Sequence, residues 1–206
     1  MQFQNKEVTD YLNRNQLKII SYDSNRPWGG WYLINIDQST DSNFDKKILR
    51  VIPDTVLSLQ FHGTESHPGH LETWEACTNI RAIISKESVV NKTNSELSII
   101  LEDLLLVDVN PGGSLIIGPG YIHALVNLYK EEIYVIETRQ SQIVETSDDR
   151  ENNIVRIYDQ TNRNNTPSYP NELILRIMDP YSEPDYLIQR GHIFDTRNIK
   201  INKCEN

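Results

Sequence analysis

Gln60, His62, Glu72 and His123 are potential ligands of a metal ion. Gln60 and His62 lie two apart in the alternating run Leu57 to His62, so both face one side of a strand. After a turn-like loop, Glu72 and Trp74 repeat that arrangement in Gly69-His-Leu-Glu-Thr-Trp74. Three metal-binding side chains thus fall in one hairpin-like segment. His123 follows far downstream, after the Gly118-Pro119-Gly120 turn and at the start of another apolar run. Imidazole, carboxylate and amide oxygen together suit a borderline divalent cation. Taken singly, His62 and His123 read as ordinary buried histidines and Gln60 as a strand amide bonded to a neighbour. Glu75 is one register step from Glu72 and would face the other way, unless a bulge exchanges the two.

Such a set converges only if distant strands are brought together, and the chain is rich in short strands. Leu17 to Tyr22, Trp31 to Ile36, Lys47 to Ile52 and Leu57 to His62 read as strands, and Thr73 to Ser85 continues the sheet. Val107 to Val109, Leu115 to Ile117, His123 to Leu128, Ile133 to Thr138 and Asn153 to Asp159 are further strands. Pro and Gly mark turns at Arg26 to Trp31, Pro53-Asp54, Pro111-Gly112-Gly113 and Gly118-Pro119-Gly120. Lys6 to Asn15 has a helical spacing, and Glu96 to Leu106 reads as a short helix or a buried strand, with helix preferred. Asp37 to Asp45, Gln142 to Asn153 and Thr161 to Ser168 are polar and read as loops. Leu173 to Met178 and Tyr186 to Ile188 are apolar pieces of strand size. Many short strands with few helical patterns predict an all-β sandwich or barrel.

At 206 residues the expectation is one domain with a core that needs no disulfides. A net charge of −9 argues against a nucleic-acid or anionic-membrane partner. It leaves room for a local basic pocket. Two cysteines, Cys77 and Cys204, give no disulfide framework. Met1 to Glu7 lacks a basic start followed by an apolar stretch, and no apolar run reaches the ~20 residues of a membrane span. A cytoplasmic location is the simplest expectation. No phosphate-binding glycine loop is present.

Four blocks, in order, resemble the phosphomannose isomerases of the cupin superfamily. Arg26-Pro-Trp-Gly-Gly30 is similar to that family's Trp-Gly-Gly segment. Gln60-Phe61-His62 with Gly69 to Trp74 is similar to Gln-x-His and Gly-Lys-x-Glu-x-Trp. Pro111 to Leu125 is similar to the second cupin motif. Glu137, then Arg156-Ile-Tyr-Asp159 and Arg163, is similar to the Tyr-Arg-x-Tyr-Asp ending. The resemblance covers roughly residues 26 to 163 and implies a cupin-type jelly-roll barrel with a few short peripheral helices. It implies a single cupin domain over 1–206, with a core of about 20–163 and a C-terminal extension, 164–206.

That likeness implies one zinc, or another divalent metal, held by Gln60, His62, Glu72 and His123. It also implies interconversion of mannose 6-phosphate and fructose 6-phosphate through an enediol. The family has a lysine two residues before the ligand glutamate; here that position is His70. His70 then becomes the candidate base, exchangeable near neutral pH. Arg156 becomes the candidate cation for phosphate or developing negative charge, and Arg139, facing with Glu137, a second. The substituted lysine equally suits a non-catalytic metal-containing cupin that binds a sugar or nucleotide sugar. The expected partner is a sugar phosphate, with pairing into a homodimer by analogy to cupins that join through their sheets.

Overall fold

Alternating apolar residues build strands that assemble into two facing sheets. In a computed structural model, which describes residues 5–34, 44–64, 66–141 and 153–204, the strands are β1 (Ile19–Arg26), β2 (Gly29–Ile34), β3 (Phe44–Val51), β4 (Thr55–Val56), β5 (Leu59–His62), β6 (His70–Ala76), β7 (Ile80–Ser88), β8 (Leu105–Val109), β9 (Ser114–Ile117), β10 (Tyr121–Asn127), β11 (Ile133–Ser141), β12 (Ile154–Tyr158), β13 (Tyr186–Ile188), β14 (His192–Asp195) and β15 (Lys200–Lys203). One sheet runs β1-β2-β3-β11-β6-β9-β14-β15 and the other β12-β5-β10-β7-β8-β13, with β4 beside β10. The central strands, β3-β11-β6-β9 facing β5-β10-β7-β8, have the strand order of a jelly roll, the architecture that cupins share. Among the described residues, all pairings are antiparallel except β13 with β8 and β14 with β9.

Period-2 alternation divides each strand between an inner and an outer face. The inner face carries Leu49, Val51, Trp74, Leu115, Ile117, Leu125 and Val135, which form the barrel core. The outer face of the first sheet, with Ile48, Tyr134 and Ile136, is covered by α1 (Lys6–Arg14) through Val8. The outer face of the second, with Leu59, Ile83, Leu106 and Ala124, is covered by α2 (Asn94–Glu102) and α3 (Asn171–Met178) through Ile100 and Ile177. α2 opens on a capping box in which Thr93 and Glu96 exchange side-chain and backbone bonds. No helix among the described residues is long and apolar enough to cross a membrane.

The segment 164–204 is woven into both sheets. β13 and β14 extend one each, and Ile188 and Phe194 enter the barrel core. Arg81 secures the chain before β13, binding Asp108 through two nitrogens and donating to the carbonyls of Asp179 and Ser182.

Three expectations change. Leu173 to Met178 is helical, because Leu173, Ile174, Ile177 and Met178 form one apolar stripe at helical spacing. The paired Gly29-Gly30 opens β2 instead of making the turn; a side chain at Gly29 would collide with the Arg50 carbonyl on β3. Thr73 to Ser85 is two strands, broken at Cys77 to Asn79. The loops expected at 37–45 and 142–153 lie almost entirely outside the described residues.

Candidate metal centre

Register places the polar groups. β5 lies between β12 and β10, and Arg156, Gln60 and His123 form one inward row across those strands. On the facing sheet β11 lies between β3 and β6. There Lys47, Glu137 and Trp74 form one row, and Asp45, Arg139 and Glu72 the next. Glu75 alternates to the other face, where it meets Lys46. The β5–β6 loop returns the chain so that His62 and His70 stack with ring centroids 4.0 Å apart. Gly69 makes this return possible. Its φ is +70°, and a Cβ there would sit 2.6 Å from the His62 carbonyl oxygen.

The rows meet at Glu72, which is 1 % exposed. His62 Nε2 lies 3.2 Å and His70 Nε2 3.0 Å from Glu72 Oε1. On the other oxygen, His123 Nε2 lies 3.5 Å away, and the Trp74 indole N–H donates at 3.2 Å. Arg139 Nε is 3.1 Å from Glu72 Oε1 and 2.8 Å from Glu137 Oε1, close ion pairs whose angles fall short of hydrogen bonds. Gln60 joins from β5, its Nε2 3.4 Å from His62 Nε2.

His62, Glu72 and His123 fit a metal ion. Their ligand atoms all lie within 4.8 Å of one another. Separations of 3.2 and 3.5 Å from the carboxylate to the two imidazoles match the spacing of atoms that share an ion through bonds of about 2.1 Å. The tautomer of His123 agrees. Its Nδ1 is 2.9 Å from the Tyr121 carbonyl, which only accepts, so Nδ1 carries the proton. Nε2 then faces Glu72 with a lone pair and has no hydrogen-bond partner among the described residues. A backbone carbonyl on one imidazole nitrogen is the usual outer support for a metal on the other.

The electrostatics keep the donors ready. Burial lowers the proton affinity of His62 strongly and that of His123 as well, outweighing the nearby Glu72 charge, so both are neutral at pH 7. Burial pushes the Glu72 carboxyl up, but its pairing with His62, the charge of Arg139 and the hydrogen bonds of His62 and His70 more than reverse this, and it sits well below the usual range. Burial raises Glu137, against the lowering effect of Arg139.

A cavity of about 360 Å³ opens beside this cluster. Gln60, His123, Glu137, Arg139 and Arg156 line it, with Lys47, Arg26 and Arg163 as further cations and Trp28, Trp31 and Trp74 as aromatic walls. His70 is 2 % exposed, binds Glu72 and is not among the lining residues. His67 stays in the loop, accepting from the Gly69 N–H and meeting Asn153. Lys47 is a wall residue that sequence reading passed over. Its signal is a charged residue on the same strand face as Leu49 and Val51. Ser58, bonded to Gln60 at 2.7 Å, is another.

No protein-family model matches the chain, and no curated protein matches it. Among solved structures it is similar to a single-substitution variant of the oxalate decarboxylase of Bacillus subtilis, with a TM-score of 0.49 and 15 % identity over 77 % of this chain and 35 % of that one. It is also similar to the capsular polysaccharide assembling protein CapF of Staphylococcus aureus, with a TM-score of 0.46 and 13 % identity over 68 % and 33 %. A third is the 7S globulin of Momordica charantia, with a TM-score of 0.46 and 15 % identity over 77 % and 41 %. The chain spans about a third of the length of the first two. Likeness at this level carries no argument about activity.

Proposed function

We propose that this jelly roll is a metal-dependent isomerase of a phosphorylated sugar, interconverting an aldose and a ketose of the mannose 6-phosphate and fructose 6-phosphate type. The observation that carries the reading is the convergence of His62, Glu72 and His123, with Gln60 beside them, at the edge of a cavity walled by cations and tryptophans. His62, Glu72 and His123 would hold the ion. When bound, a divalent cation supplies polarisation of carbonyl and hydroxyl oxygens.

The chain's own groups supply the rest. Trp28, Trp31 and Trp74 offer apolar surface to a sugar ring. Arg156, in the row of Gln60 and His123, offers a fixed charge to a phosphate, and Lys47 offers a second from the opposite sheet. Moving a proton between C1 and C2 needs a base on the wall. Glu137 lies there, and burial raises its proton affinity toward the working pH. His70, the base implied by the family resemblance, binds Glu72 Oε1 at 3.0 Å, so its contribution runs through the orientation of that carboxylate. Arg139 holds Glu137 and Glu72 in fixed relation.

A coupled assay of mannose 6-phosphate and fructose 6-phosphate with folded, zinc-loaded protein tests this; turnover supports the isomerase and its absence removes it. The placement of His70 away from the cavity favours a second reading, a metal-containing cupin that binds a sugar without converting it. Calorimetric binding of either sugar phosphate without turnover selects that reading.

A further inference from the structure

The Gln60 amide stands at the end of a line of hydrogen bonds whose direction can be followed from its other end. Asp159, 1 % exposed, accepts from Arg163 Nε at 2.6 Å and from the Thr161 N–H and hydroxyl at 2.9 and 2.8 Å. Arg163 then donates to Ser58 Oγ at 3.1 Å. A guanidinium has no acceptor, so Ser58 accepts here and its own proton points onward. Gln60 Oε1 lies 2.7 Å from Ser58 Oγ, the separation of an O–H···O bond and shorter than is usual for N–H···O. Ser58 therefore donates to the amide oxygen. That turns Oε1 away from the cluster and leaves Nε2 on its side, 3.4 Å from His62 Nε2.

The loop that carries Arg163 is shaped for the task. Asn162, Asn164 and Asn165 take left-handed backbone angles, with φ of 53°, 55° and 59°. Asparagine adopts this region more readily than other side-chain-bearing residues. With Asp159 bonded to Thr161 and Arg163, the loop fixes the guanidinium at both Asp159 and Ser58.

We propose that Gln60 is not a metal ligand but an N–H donor to an oxygen of the bound sugar, and that His62, Glu72 and His123 alone hold the ion. Ser58 and Arg163 are positioning residues that set the amide's orientation. A centre with two imidazoles and one carboxylate keeps its remaining positions open to hydroxyl or carbonyl oxygens of a small polyol. The assignment rests on the reading that this centre binds a divalent cation.

The test uses the full chain, stripped with chelator and titrated with Co²⁺ alone. Its visible bands report the ligand set, and competition with a chelating dye gives the affinity. Gln60→Met is expected to keep the wild-type bands and an affinity within about tenfold, while His62→Ala loses about a hundredfold or more. A shift of the bands in Gln60→Met, or a larger loss, overturns the assignment. Should Gln60→Met fail to fold, Ser58→Ala decides: Co²⁺ affinity unchanged or tighter upholds the donor role, because the amide oxygen is released. Weaker binding shows that Ser58 was supporting a ligating oxygen. A wild-type chain that binds no Co²⁺ removes the metal reading together with this assignment, whereas a failure confined to Gln60→Met removes the assignment alone.

Discussion

Arg139 Nε lies between Glu72 and Glu137, 3.1 Å from an oxygen of the first and 2.8 Å from an oxygen of the second. One guanidinium compensates two carboxylates inside the barrel, so Glu72 is ionised before any cation arrives. Replacing Arg139 with Met would strand both. The expected loss is about 3–5 kcal/mol of stability, the usual consequence of breaking a buried ion pair on one side. A urea midpoint at pH 7 that matches the wild type would show that the two carboxylates need no counter-charge.

The metal-free chain should lose stability on mild acidification. His62 and His123 are held below their ordinary value of 6.5, so the unfolded chain binds more protons in that range. Their contribution is complete above pH 6.5 and is lost as pH falls toward their folded values. Glu72, also depressed, adds a loss below about pH 4.5. Glu137 is raised and works in the opposite sense, its contribution fading as pH rises through its folded value. The urea midpoint should therefore fall as the pH drops below 6.5, through the range in which His62 and His123 take up protons only in the unfolded chain. A flat profile there would contradict buried neutral histidines.

Zinc should stabilise the fold by mass action. At about one hundred times its dissociation constant a bound ion adds about 2.7 kcal/mol. His123→Ala should abolish that increment while leaving the metal-free melting temperature within a few degrees. Differential scanning with and without zinc reads both. An increment that survives in His123→Ala would place the ion elsewhere.

How much of this could be read from the chain alone varies with distance along it. His62 and Glu72 were legible because alternation within a short segment fixes the face of each, and Glu75 was correctly set on the other side. His123 was legible only through its motif, since no local rule places it opposite Gln60. Lys47 and Ser58 carry no motif, and their roles arise from register and from the arrival of Arg163 in a later loop. The helix Asn171–Met178 was missed because a six-residue run with five apolar side chains suits either period until their partners are known. β14 and β15 gave no signal: β14 is built on β9 by long-range parallel pairing, and β15 only adds to β14.

Arg156→Met should raise the KM for a sugar phosphate about tenfold or more, with a smaller change in kcat, if the guanidinium binds the phosphate in ground and transition states alike. Steady-state kinetics with the 6-phosphate and the unphosphorylated sugar separates the outcomes. An equal loss with both would move the phosphate contact to another cation.

Gly69→Ala should cost at least about 1 kcal/mol, because its φ of +70° disfavours a side chain and the added carbon would press on the His62 carbonyl. The displacement would reach both stacked histidines, so zinc affinity should fall along with the melting temperature. Wild-type zinc affinity in a destabilised Gly69→Ala would show that the return loop and the cluster are mechanically independent.

Phe194 is wholly buried in a barrel whose strands carrying His62, Glu72 and His123 come much earlier in the chain. During synthesis His62, Glu72 and His123 leave the ribosome while the segment that brings Phe194 into the core is still untranslated. Stable closure, and with it the lasting convergence of those three side chains, waits for that segment to emerge.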